Sequence, residues 1–85
     1  MLEEKFFVDR IEILEDGQIQ VRRTTVILRD GIEISRTYHR HVLEPGALLD
    51  GEDMRVITIA KAIWTSDVIR KFQNNIKFSQ IDFKN

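Results

Sequence analysis

Cysteine is absent from this 85-residue chain, which excludes disulfides, thiolate nucleophiles and cysteine-ligated zinc. Proline, tyrosine and tryptophan occur once each and histidine twice. Four of these five residues crowd into one stretch, Thr37 to Gly46 (TYHRHVLEPG). Long apolar runs are missing too, and nothing approaches the ~18 apolar residues of a membrane span. The opening MLEEKFFVDR sets two glutamates before its apolar residues, unlike a signal peptide. These features predict a protein that is not secreted and works where it is made, in a cytosol.

Excess charge of either sign is also missing. A formal net charge of −1 gives no long-range attraction to nucleic acid or to a membrane. The near-neutral total hides blocks: residues 1–21 carry −4, residues 22–41 carry +3, residues 44–53 carry −4 and residues 54–85 carry +4. Neighbouring elements are expected to neutralise one another. What is present is ordinary for a small globular domain: 42% hydrophobic and 32% charged residues, enough for one core and too little for a deep cleft.

Three segments within residues 5–43 read as strands. Lys5 to Leu14 places Phe7, Ile11 and Ile13 on one face and Phe6, Val8 and Leu14 on the other. Asp16-Gly17 follows, and Asp-Gly between apolar runs is a hairpin signal because both positions must accept positive φ. In Gln18 to Arg29 the apolar parity slips, from Ile19 and Val21 to Val26 and Leu28, which predicts a bulge or bend near Arg23-Thr24-Thr25. Asp30-Gly31 is a second hairpin turn, and Ile32 to Leu43 is the third strand, stopped by Pro45-Gly46.

The last third changes period. Val56, Ile59, Ala60, Ile63 and Trp64 recur at helical spacing, with Asp50 or Asp53 as the cap. Thr65-Ser66-Asp67 opens a second helix, with Val68, Ile69 and Phe72 as its stripe and Asn74-Asn75 as its end. The tail, residues 76–85, alternates Ile76 and Phe78, then Ile81 and Phe83, and reads as a short C-terminal strand or a wrap onto a partner. The expected architecture is a single α+β domain over residues 1–85. It is a three-stranded antiparallel β-meander followed by two short α-helices, at about 53–75, packed on one sheet face.

Chemistry is sparse. The serines lie outside any nucleophile-elbow pattern, no Gly-rich loop cradles phosphate, and the acids of residues 44–53 lack calcium-loop spacing. An enzyme is not expected, and no cofactor is implied. His39 and His41 share a strand face and could supply two metal ligands, with Glu12 or Glu33 as a further carboxylate, but no convincing third ligand is in view. On the opposite parity Arg36, Tyr38 and Arg40, extended by Arg22 and Arg23, could bind a phosphate or carboxylate with a stacked base. Alternatively they pair with strand acids such as Asp9 and Glu12. Trp64 fits a core anchor, or else a hot spot for a partner.

Tyr38, His39, Arg40, Leu43, Pro45 and Gly46 spell YHR-x-x-L-x-PG, and Ala62, Trp64, Thr65, Val68 and Ile69 spell A-x-W-T-x-x-V-I. On these motifs, over roughly residues 8–72, the chain resembles a family of small uncharacterised proteins of tailed bacteriophages, marine ones included. The resemblance implies a phage accessory or virion-associated setting and no particular reaction. The reading that follows is a non-enzymatic interaction module in the host cytoplasm or the virion, with a phage or host protein as partner. A homo-dimer is expected through Phe6, Val8, Val26, Leu28, Phe78 and Phe83, because a short chain that leaves such residues in water exposes an unusually large patch. The alternative is a binder of small anionic ligands or nucleic acid through Arg22, Arg23, Arg36, Tyr38 and Arg40.

Overall fold

The computed structural model describes residues 1–84, with side chains through Asn75. Strands β1 (Leu2–Ile13), β2 (Ile19–Arg29) and β3 (Ile32–Leu43) precede helices α1 (Met54–Ile63) and α2 (Ser66–Lys84). The strands form one antiparallel sheet in the order β1-β2-β3. The α+β meander is therefore the fold. Asp30 and Gly31 both take positive φ, 50° and 84°, the mirror-image turn that suits a right-twisted hairpin.

The helix starts follow from capping. The Asp53 carboxylate accepts the Arg55 N–H at 2.8 Å, and the Thr65 hydroxyl accepts the Val68 N–H at 3.2 Å, each satisfying a free first-turn donor. The expected end at Asn74-Asn75 is corrected: α2 continues to Lys84, and no short C-terminal strand forms there. Two asparagines cost only some tenths of a kcal/mol each in helix propensity. No proline or glycine interrupts residues 66–84, and Ile69, Phe72 and Ile76 hold helical spacing across the asparagines. The side chains of Phe78 and Phe83, expected at an interface, lie outside the described residues.

The core sits at one end of the sheet. Ile19, Val21 and Leu43 are buried against Val56 and Ala60 of α1, with Val8, Ile11, Ile59, Ile63 and Trp64 packed around them. Helix α2 meets the sheet's turns. A Cβ on Gly17 would stand 2.7 Å from Val68 Cγ1, and one on Gly46 would stand 3.4 Å from the Ile69 side chain. Trp64 ties the corner, its indole N–H donating to the Gly17 carbonyl at 2.7 Å. Twelve-residue strands run roughly 40 Å, so the sheet extends well past α1. The radius of gyration is 17.3 Å, against about 12 Å for a compact chain of this length.

The bulge falls on a different strand from the expected one. The register slips in β1, between Val8 and Arg10, opposite Arg22 and Arg23 of β2; β2 itself pairs with β3 without a break until Ile27/Leu28. Asp9 is the extra residue, and it restores Phe6 and Val8 to the face of Ile11 and Ile13, so the expected division of β1 is corrected there. Phe7, opposite Thr24, takes the other face. The parity change along β2 has its own cause. Ile19 and Val21 are covered by α1 on one face. Thr24 and Val26 are buried on the other, where the cross-strand neighbours Phe7, Tyr38, Lys5 and Arg36 flank them. One continuous strand is thus buried on one face by α1 and on the other only by its neighbours' side chains.

Candidate functional site

The arginine-bearing face is built on a cross-strand row. Arg10 of β1 pairs with Arg22 of β2, and Arg22 pairs with Arg40 of β3. Like charges directly opposite each other are destabilising in a sheet, so the local chemistry has to answer them. Asp9 does so at the centre. Turned onto this face by the bulge, it takes a two-pronged bond from Arg22, Nε at 2.9 Å and Nη2 at 2.7 Å. The Arg22 fork holds the Asp9 carboxyl down to about 2, against some opposition from desolvation. The same contact raises the Arg22 pKa.

Arg22 is thereby drawn across the ring of Tyr38, its guanidinium carbon 4.5 Å from the centroid, while that of Arg40 lies 5.9 Å away. One strand step further, Arg36 forks onto Glu33 at 2.9 and 2.8 Å, which lowers the Glu33 pKa and raises that of Arg36. The five residues read as a possible anion surface therefore divide. Arg22 and Arg36 are saturated by carboxylates, Tyr38 is roofed by Arg22, and Arg23 stands exposed on the opposite parity. Arg40 alone of the five remains on this face without a carboxylate partner among the described residues. The expected stacked base has no free ring face under Arg22.

His39 and His41 do share a face, their ring centroids 6.1 Å apart. The carboxylate that meets them is neither Glu12 nor Glu33. His41 Nε2 lies 2.9 Å from Glu52 Oε1, which ties β3 to the loop before α1. Among the described residues no group of three or more His, Asp or Glu side chains could hold a metal ion. The signal for Glu52 was in the sequence, in the acidic stretch 44–53, but only the tertiary turn at Pro45-Gly46 brings it back over β3. Arg55 was missed as well: its Nη2 donates to the Val8 carbonyl at 2.7 Å, beside the bulge, and holds α1 to β1.

The second surface of interest is the bare end of the sheet. Leu2, Phe6, Phe7, Ile32 and Ile34 are all exposed there, Phe6 at 64% and Ile32 at 69%. Phe6 opposes Thr25, Glu4 opposes Ile27, and Leu2 and Ile32 both oppose Arg29. Strand alternation therefore puts Leu2, Phe6, Ile27 and Ile32 on the same face as α1. Of the residues expected at an interface, Phe6 is open. Val8 packs against the core, Val26 is buried, and Leu28 is half-buried on the opposite parity. No family model, curated protein or solved structure matches the chain.

Proposed function

We propose that the chain is a non-enzymatic interaction module that acts as a homo-dimer, in a tailed-phage setting as an accessory or virion-associated protein whose eventual partner is a phage or host protein. The YHR-x-x-L-x-PG and A-x-W-T-x-x-V-I motifs support the setting. One observation carries the oligomer: beyond α1 the same sheet face leaves Leu2, Phe6 and Ile32 exposed around a half-buried Ile27, with Glu4 and Arg29 between them. Each of the three exposed side chains contributes roughly 1.5–3 kcal/mol when fully buried, which offsets part of the entropy lost on association.

Charge selects how a second copy fits. Strand β1 carries Glu3, Glu4, Asp9 and Glu12 against Lys5 and Arg10, and β3 carries Arg36 and Arg40 against Glu33. Two-fold pairing of like edges would set acid against acid, or base against base. Face-to-face packing of the bare ends avoids this and closes the assembly. Light scattering at micromolar concentration tests it. The expected mass is twice the 10.0 kDa of one chain, falling to a single chain in the Phe6→Asp/Ile32→Asp variant. A wild-type species at single-chain mass that ignores dilution overturns the dimer. A larger mass that grows with concentration would instead mean β1-to-β3 edge pairing.

A further inference from the structure

Beside the arginine row lies a hollow of about 150 Å³ lined by Arg10, Glu12, Gln20, Arg22, Arg40 and Val42, among others. Its origin is legible in the contacts already described. Asp9 and the Tyr38 ring pull the Arg22 guanidinium toward themselves, vacating the middle of the row. The two outer arginines then flank the gap. Their backbones are two strand spacings apart, roughly 9–10 Å, a span that two long side chains can close upon a single small group. Neither is saturated. Among the described residues Arg10 reaches only one acid, Glu12, at 3.6 Å, beyond hydrogen-bond range, and Arg40 has no carboxylate partner.

We propose that this hollow is a binding site for a phosphate group, held from two sides by Arg10 and Arg40. A carboxylate offers one planar fork, which one guanidinium fills. A tetrahedral phosphate presents oxygens on more than one side, so two forked donors approaching from opposite strands suit it better. Gln20 supplies a further donor on the floor. The ligand is a compact phosphate rather than a stacked nucleotide, since Arg22 already occupies the face of Tyr38. Glu12 is the one acid in the lining and opposes the ligand.

The test is a titration with inorganic phosphate, at fixed ionic strength, followed through the arginine Nε–H resonances by NMR. The hollow lies on the sheet face away from α1, opposite the proposed dimer face, so the outcome is independent of the dimer. Saturable movement of Arg10 and Arg40 is expected, with Arg36, clamped by Glu33, left still. Arg40→Gln should abolish saturation. Glu12→Gln, which removes one negative charge a few ångströms from the ligand, should tighten binding about threefold. Acetate over the same range should give no saturation. Uniform, non-saturating drift of every arginine, undiminished binding in Arg40→Gln, or equal saturation by acetate would each overturn the site.

Discussion

The two ends of the sheet use the same strands and nearly the same composition, yet they solve different problems. At the end near Gly17, one face of β2 is sealed by α1, a tryptophan bond and two turn glycines, and Ile19, Val21 and Val56 reach essentially zero exposure. At the end near Gly31 no helix arrives among the described residues. There β2 is shielded only by its neighbours, and almost every residue of β1 up to Phe7, and of β3 up to His41, remains exposed. A strand's burial here depends on what the rest of the chain can reach. Apolar content does not decide it: Phe6 and Ile32 are as apolar as Ile19, yet no described helix side chain covers them.

The sharpest way to break this contrast is a matched pair of truncations. Ile19→Ala removes a fully buried side chain and should cost about 3–4 kcal/mol. Ile32→Ala, at the bare end, should change monomer stability by less than about 0.5 kcal/mol. Urea unfolding under conditions that keep the protein monomeric reads both. Equal losses would mean that the bare end is covered within a single chain. At higher concentration only the second variant should weaken the dimer.

The glycines give a second matched pair with a smaller effect. Gly17 and Gly31 share positive φ, 95° and 84°, so alanine at either pays the left-handed penalty of about 1 kcal/mol. At Gly17 the new Cβ also meets Val68 at 2.7 Å and Pro45 at 3.2 Å, whereas at Gly31 it meets nothing within 4 Å. Gly17→Ala should therefore cost about 1–3 kcal/mol beyond Gly31→Ala, as overpacking does. Equal effects in thermal or urea unfolding would show that α2 is not seated on the first turn.

What could be read from the sequence follows the same division. The Asp30-Gly31 turn, the Asp53 and Thr65 caps and the order of elements are local, set by residues next to one another, and they were legible. The place of the bulge was not. A parity slip in β2 looks the same from sequence whether β2 gains a residue or changes which face is covered, and the answer depended on β1 and α1. The end of α2 is hidden for the opposite reason: Asn74-Asn75 is a weak local stop signal, and a run free of helix breakers outweighs it. At the arginine face, Arg22, Arg36, Tyr38 and Arg40 do share one side of the sheet, and Arg23 does not. Which arginine stays free depended on Asp9 turning toward Arg22, a pairing that the bulge creates.

The smallest effect lies at the junction of the two ends, where Asp9 and Arg22 meet. The Asp9 carboxyl is held at about 2, below its ordinary 3.8, first by the Arg22 fork. A depressed carboxyl favours the folded state above the unfolded pKa and loses that contribution as pH falls through the folded one. Wild-type stability should therefore drop between about pH 4 and pH 2. Asp9→Asn should flatten part of that limb while leaving the curve above pH 5 parallel. Glu33, Asp16 and Asp53 are depressed in the same sense, so some slope must remain. Arg22→Gln should flatten the same part, and the double variant should flatten it no further, because both changes remove one interaction. If the wild-type and Asp9→Asn curves run parallel from pH 5 to pH 2, the fork does not form in solution. The central arginine would then be as free as its neighbours, and the row would hold three open guanidiniums instead of two.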